Sequence, residues 1–391
     1  MRTRQLGDTT ATAVGAGDVS LAIAASRGVD RSDTERALTA ALSSGLTFVD
    51  VHPGEADAER LAAEVIRSLR GRDRITLAVT IPTLNGRDTP IDQLPPRYIQ
   101  AAVEAALRTT KLDALPLVQL PLRPNWPSSK AWPELVGTAA RLVREGKVLS
   151  WGIRLEDADT SVVTETARDP DDDTEEESPI THLAPLLAET WFISLSVVFN
   201  ACMGTAGALI DATLAPIPYG PLAPAPAASG FAGSSLILSP FAITETAPAP
   251  LTKAPGSARQ LAILARQPLA GRALAGTLGP GVKLSLRDDR QLDPATLDRL
   301  ALSVARLARL VRTTPPAATS TQAGRDIVVN GKRPEHVSAF TLAELALRYV
   351  IDRGAIALPR LHRHEHVPET LMAGTAEPLT PDIVEILDGI S

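Results

Sequence analysis

Residues 32–51 read Ser-Asp-Thr-Glu-Arg-Ala-Leu-Thr-Ala-Ala-Leu-Ser-Ser-Gly-Leu-Thr-Phe-Val-Asp-Val and contain one full turn of a pattern that the chain repeats. Ser32-Asp33-Thr34-Glu35 has the spacing of a capping box, in which a hydroxyl and a carboxylate satisfy free N–H groups at a helix start. Ala37, Leu38, Ala41 and Leu42 then fall on one helical face, and Gly45 suits a C′ stop. Thr47 to Val51 is a short β-branched run of strand type. Outward from there the cycle recurs. The patterns predict helices over Ala56–Leu69, Arg97–Leu112 and Pro133–Glu145, and strands over Ile75–Ile81, Leu115–Leu120 and Val148–Ile153. Strands separated by helices pair in parallel through right-handed crossovers. Alternation alone leaves an open doubly wound sheet and a closed barrel both standing.

Beyond Ile153 the rhythm continues through three insertions, near residues 169–180, 205–257 and 313–340. The first carries the acidic run Asp169 to Glu177, which reads as a solvated loop rather than a metal or partner site. The second is rich in Pro, Ala and Gly without a sustained period, and is the segment expected to meet a protein partner. Strands are expected at Phe192–Phe199, Leu261–Ala265 and Ile356–Leu358. Helices are expected near Pro294–Val311, Thr341–Asp352 and Pro381–Leu387, with a small hairpin at Ile327–Lys332 around Asn330-Gly331.

Bulk composition narrows the function classes. Hydrophobic residues make up 44% of the 391 and aromatics only 3%, so Ala, Leu, Val and Ile must fill the core. A net charge of −6 argues against a nucleic-acid binder, which needs a basic face. One cysteine, Cys202, excludes an intramolecular disulfide framework and suits a reducing cytoplasm. Met1 to Thr10 has no apolar core of a secretory signal, and Trp191 to Met203 is too short and mixed to span a bilayer. A protein without a membrane role is expected.

Placed in order, the motifs resemble the aldo-keto reductases. Arg4-Gln5-Leu6-Gly7 is similar to the family's opening R-x-L-G, and Gly15-Ala16-Gly17 to its first-strand G-x-G. Phe48-Val49-Asp50 and Glu59-Arg60-Leu61 resemble F-x-D and the following S-E-R-L. Val143 to Ile153 is close to V-R-E-G-K-V-R-x-I-G-V. Pro268-Leu269-Ala270-Gly271, with Leu274 and Gly276, resembles P-L-A-x-G-x-L-x-G, and Thr341 to Arg348 resembles T-L-A-Q-L-A-L-R. The resemblance implies a single (β/α)₈ TIM barrel over residues 1–391, with an N-terminal segment, long loop insertions, and a site at the C-terminal strand ends.

It also implies four catalytic positions, of which one is kept. Asp50 matches the family's Asp. The Tyr that acts as general acid is replaced by Glu55, the Lys that lowers its pKa by Thr80, and the His that orients the carbonyl by Pro121. A carboxylate at the Tyr position would repel a forming alkoxide unless its pKa were strongly raised. The positions for nicotinamide are changed as well: Arg154-Leu155 stands for the carboxamide-holding S-N, about Ser196 for the Gln, and Arg266 for the stacking aromatic. In the adenosine-phosphate motif only basic character remains, in Arg360 and Arg363, which suit a phosphate at a strand-to-helix junction or a solvated loop.

Three further groups bear on chemistry. His362, His364 and His366 alternate, and on a strand would share a metal-binding face; Arg360 and Arg363 oppose a cation, so ordinary surface histidines and no metal are expected. Asp50, His52 and Glu55 could face the barrel mouth together and support acid–base chemistry of another kind. Cys202 reads as a structural thiol. The leading expectation is a catalytically degenerate pseudoenzyme that binds a partner or small molecule and needs no cofactor. The alternative is an NADP-dependent oxidoreductase with atypical catalytic residues.

Overall fold

The computed structural model describes residues 1–83, 95–122, 129–155, 189–202, 210, 261–275, 294–311 and 341–390. All three expected insertions, and the hairpin at Ile327–Lys332, fall wholly or mainly outside these residues. Two short strands, β1 (Thr3–Leu6) and β2 (Thr9–Thr12), pair antiparallel. The remaining eight form one parallel sheet in strict chain order. They are β3 (Ala16–Val19), β4 (Phe48–Val51), β5 (Thr76–Thr80), β6 (Leu117–Leu122), β7 (Trp151–Leu155), β8 (Phe192–Val198), β9 (Ala262–Arg266) and β10 (Ile356–Leu358).

Backbone bonds join the last strand to the first: Gly15 N–H donates to Ala357 O at 2.9 Å, Gly17 N–H to Pro359 O at 2.9 Å, and Ala357 N–H to Ala13 O at 2.9 Å. Sequential order plus this seam make the sheet a (β/α)₈ barrel, so the open doubly wound alternative is excluded. Close backbone neighbours on the two sides of β3 explain the two glycines. A Cβ on Gly15 would lie 2.8 Å from Phe48 O, and one on Gly17 2.2 Å from Leu358 O, so neither position has room for a side chain.

The helices form the outer ring. They include α1 (Leu21–Ser26), α2 (Arg31–Ser43), α3 (Ala56–Ser68), α4 (Pro96–Thr110) and α5 (Trp132–Arg144), with four more at Pro294–Ala308, Leu342–Asp352, Val367–Thr375 and Pro381–Asp388. In α2 the expected buried face holds: Thr34, Ala37, Leu38, Ala41 and Leu42 are covered, and Gly45 follows the helix at φ +102°. Its cap differs from expectation. Asp30, not Ser32, is the N-cap, with its Oδ1 accepting Asp33 N–H at 2.8 Å. Ser32 lies inside the helix and donates its own hydroxyl to Asp30 at 2.8 Å. A carboxylate two positions earlier thus outcompetes the hydroxyl for the free helix N–H groups.

Strand register sorts the interior. Side chains alternate across a strand, and parallel partners share a face, so a single parity lines the barrel axis. The inward set begins as an apolar cluster of Phe48, Ala78, Leu117, Ala262, Leu264, Ile356 and Leu358, floored by Leu6 and Ala11 from the β1–β2 pair. The outward set packs beneath the helices in a second, larger cluster. No helix among the described residues is long and apolar enough to cross a membrane.

Candidate functional site

Toward the C-terminal strand ends the same parity turns polar. Above Phe48 stands Asp50, above Ala78 stands Thr80, and above Leu117 stands Gln119; Gly152 is followed by Arg154, Ser194 by Ser196, and Leu264 by Arg266. Asp50, Thr80, Gln119, Arg154, Ser194, Ser196 and Arg266 are all buried. Buried polar groups need partners in a low-dielectric interior, so this layer is organised around its hydrogen bonds and charges.

Asp50 is the hub on one side. Its Oδ1 accepts from Gln119 Nε2 at 2.7 Å, its Oδ2 from the Asp18 backbone N–H at 3.3 Å, and Arg154 Nη1 lies 3.6 Å from Oδ2. Burial pushes its carboxyl up from the usual value; Arg154 opposes this, the charge of Asp18 adds to it, and Arg266 and Gln119 only partly offset it.

Asp18 is the second hub, and sequence reading missed it. The pairing of β3 with β4 is irregular between Ala16 and Val19, and Asp18 within that irregularity takes φ +48°. Such an irregularity breaks the alternation of the strand and re-aims a side chain. The Asp18 carboxylate meets His52 Nδ1 at 2.7 Å, Arg360 Nε at 2.7 Å and Arg154 Nη2 at 3.6 Å, with Arg360 Nη2 also on Oδ2. Burial works against its charge, but the His52 hydrogen bond, Arg360 and Arg154 outweigh it and hold the carboxyl well below the usual carboxylate range. The signal available in the sequence was an acidic residue directly after G-x-G, at the mouth of the first barrel strand.

The expected trio of Asp50, His52 and Glu55 separates. His52 couples to Asp18, and Asp50 to Gln119 and Arg154. Glu55 faces α1 instead: Oε2 accepts from Leu21 N–H at 2.9 Å and Ala22 N–H at 3.4 Å, while Oε1 accepts the Ser20 hydroxyl. Thr80 is buried, with no hydrogen-bond partner for its hydroxyl among the described residues. Pro121 pairs with Arg154 on β7, and the nitrogen of its ring carries no proton to donate. Arg266 sends Nη2 to Leu155 O, one residue beyond Arg154.

The two basic residues expected to hold a phosphate also separate. Arg360 grips Asp18, while Arg363 is exposed, with Nη2 3.4 Å from Arg27 O. The three histidines are not on a strand: His364–His366 form a 3₁₀ turn, with His364 and His366 exposed. His362 is not a surface residue, contrary to expectation. It is 6% exposed, and burial together with Arg27 and Arg360 pushes its imidazole down to about 4. Among the described residues no group of His, Cys, Asp and Glu is arranged to hold a metal ion. Burial pushes the Cys202 thiol up to about 12.

A family model described as "Aldo/keto reductase family" matches residues 13–179. That stretch carries β3 to β7, the G-x-G seam and the Asp50 position. Over these residues the chain is similar to the aldo/keto reductase family. Solved structures extend the likeness of fold to the whole barrel. An aldo-keto reductase from Bacillus halodurans, in its holo form, superposes with a TM-score of 0.59 at 16% identity, covering 100% of this chain and 96% of that one. A glycerol dehydrogenase from Gluconobacter oxydans gives 0.62 at 14% identity, over 99% and 94%. An aldo/keto reductase from Klebsiella pneumoniae, in complex with NADP and acetate, gives 0.53 at 20% identity, over 99% and 94%. No curated protein matches the chain. In the family's terms Asp50 stays at its strand end, and Glu55, Thr80 and Pro121 stand where the resemblance puts Tyr, Lys and His.

Proposed function

We propose that this aldo/keto reductase relative has lost nicotinamide-dependent carbonyl reduction and uses its barrel to bind a small molecule or partner. The observation that carries this reading is Glu55. Reduction of a carbonyl needs a proton donor within hydrogen-bond reach of the forming alkoxide. At the donor position both Glu55 oxygens are engaged as acceptors toward Ser20, Leu21 and Ala22. Thr80 offers a hydroxyl where a cation lowered the donor's pKa, and Pro121 offers nothing.

The residues present fit a nicotinamide poorly. Arg154 and Arg266 stand at the positions matching the carboxamide-binding pair and the stacking aromatic, and both are buried. An oxidised nicotinamide ring is itself cationic, so two guanidinium groups that stay protonated at any working pH oppose it. Arg360, at the phosphate position, is already paired with Asp18. The second reading, an NADP-dependent oxidoreductase with atypical residues, draws support from the retained Asp50 and from the fold shared with an NADP complex.

Titration with NADPH, followed by nucleotide fluorescence, and then assay with a panel of aldehydes and ketones test the proposal. Weak or absent binding and no NADPH consumption are expected. Tight binding with stoichiometric consumption against a carbonyl compound would overturn it. We place docking of a protein partner on the insertion 205–257, where rapid limited proteolysis that partner binding suppresses is the expected result. The compartment proposed is the cytoplasm, which suits the single Cys202.

A further inference from the structure

The strongest unused constellation among the described residues is the pair formed by Asp18 and His52. Asp18 is nearly buried, sits in the left-handed region at φ +48°, and receives His52, Arg360 and Arg154 together. A non-glycine residue at positive φ, over-determined by three partners at a barrel mouth, is the kind of strained position that functional sites hold. His52 follows the end of β4, with its backbone N–H tied to Val19 O at 3.0 Å. Its Nδ1 faces Asp18 at 2.7 Å, and its side chain is 35% exposed. Nε2, on the far side of the ring, has no hydrogen-bond partner among the described residues. A buried carboxylate that accepts from Nδ1–H fixes one tautomer and leaves the Nε2 lone pair directed outward, which is the arrangement a general base needs.

We infer that His52, positioned by Asp18, exchanges a proton with the carbon next to the carbonyl group of a small carbonyl compound at the barrel mouth. No hydroxyl, thiol or amine among the described residues lies in hydrogen-bond reach of Nε2, so the pair is built to move a proton rather than to activate a side-chain nucleophile. In the step, the C–H bond breaks and its proton passes to Nε2. The electron pair becomes the C=C bond of an enolate, with the negative charge on oxygen. Return of the proton to carbon restores the compound, and return to oxygen gives the enol. No oxidant, reductant or leaving group is needed. This goes beyond the loss of reduction and does not depend on it.

The test uses the full chain in D2O at neutral pD with hydroxyacetone and no nucleotide, read by proton NMR as loss of the C–H signals. The protein should speed exchange over buffer, and His52→Gln should lower the enzymatic rate about 100-fold or more. His364→Gln, at an exposed position away from the pair, should leave the rate unchanged. Nitrogen-15 spectra should show neutral His52 as the Nδ1–H tautomer in the parent and as Nε2–H in Asp18→Asn, whose amide would donate to Nδ1. Exchange no faster than buffer, an unchanged rate in His52→Gln, or an Nε2–H tautomer in the parent would each overturn the inference. Should Asp18→Asn fail to fold, the parent spectrum and His52→Gln decide. NADPH consumption, by contrast, bears only on the proposed loss of reduction.

Discussion

The lower and upper halves of the barrel interior obey different rules. Below, Phe48, Ala78, Leu117, Leu264 and Ile356 fill the axis with apolar volume, and Leu6 and Ala11 close the floor. Above, on the same strands and the same parity, stand Asp50, Thr80, Gln119, Arg154, Ser196 and Arg266. The lower layer is constrained by close packing, where each side chain's shape is fixed by its neighbours. The upper layer is constrained by charge and hydrogen bonding, which many residue combinations satisfy. The two layers should therefore answer mutation differently.

The largest effect is expected in the lower layer. Phe48→Ala removes a fully buried ring from the barrel axis and should cost about 3–5 kcal/mol in urea unfolding. A loss below about 1 kcal/mol would mean that the axis is not packed as a core, and the contrast between layers would collapse.

Acid should act on the upper end instead. The His362 imidazole is held at about 4 against an ordinary 6.5, so the unfolded chain binds its proton first. Stability from this group is complete above pH 6.5 and is lost as pH falls toward 4, by about 3 kcal/mol at 1.36 kcal/mol per pKa unit. Asp18 extends the same limb. Its folded carboxyl titrates below its unfolded value, so its contribution is present above the unfolded pKa and disappears as pH drops further. Asp50 has the opposite sign: its raised carboxyl favours the folded state at low pH and loses that contribution as pH rises through its folded value. Stability curves of His362→Leu should lose the decline between pH 6.5 and 4; an unchanged curve would sink the assignment.

Gly17→Ala should come next, at about 1–3 kcal/mol, because a Cβ would press 2.2 Å from Leu358 O at the seam. Backbone oxygen cannot swing away as a flexible side chain can. Thermal unfolding at or above the parent temperature would show that the seam is looser than its hydrogen bonds suggest.

How far the sequence could be read follows the same division. The barrel was legible because its strands announce themselves locally, and each expected barrel strand was found within a few residues. Register explains the small errors: the runs at Leu115 and Val148 make only an isolated bridge before β6 and β7 begin at Leu117 and Trp151. The positions that the resemblance assigns to Tyr, Lys and His could be located because the family places them at fixed offsets. The contacts around them could not. Asp18 joins His52, Arg360 and Arg154 from four separate places in the chain, and no local spacing links residue 18 with residue 360. Glu55 lies five residues after Asp50, and no local spacing signals that the short turn at Pro53-Gly54 carries it toward α1. His362 looked exposed because the run around it is dense in arginine and histidine, whereas Leu361 and His362 are both buried.

The smallest effect separates the layers most cleanly. Ser196 is fully buried beside Arg154 in the β7–β8 register, and its hydroxyl has no hydrogen-bond partner among the described residues. A buried hydroxyl without a partner carries a desolvation cost and returns nothing. Ser196→Ala should therefore leave stability unchanged or raise it by about 1 kcal/mol, although the position is as deeply buried as Phe48. Burial alone would forecast a loss at both positions. Chemical denaturation of the two variants side by side decides between these views. A loss of more than about 1 kcal/mol in Ser196→Ala would mean that its hydroxyl holds an ordered water or ligand. The upper layer would then be hydrogen-bonded as completely as the lower one is packed.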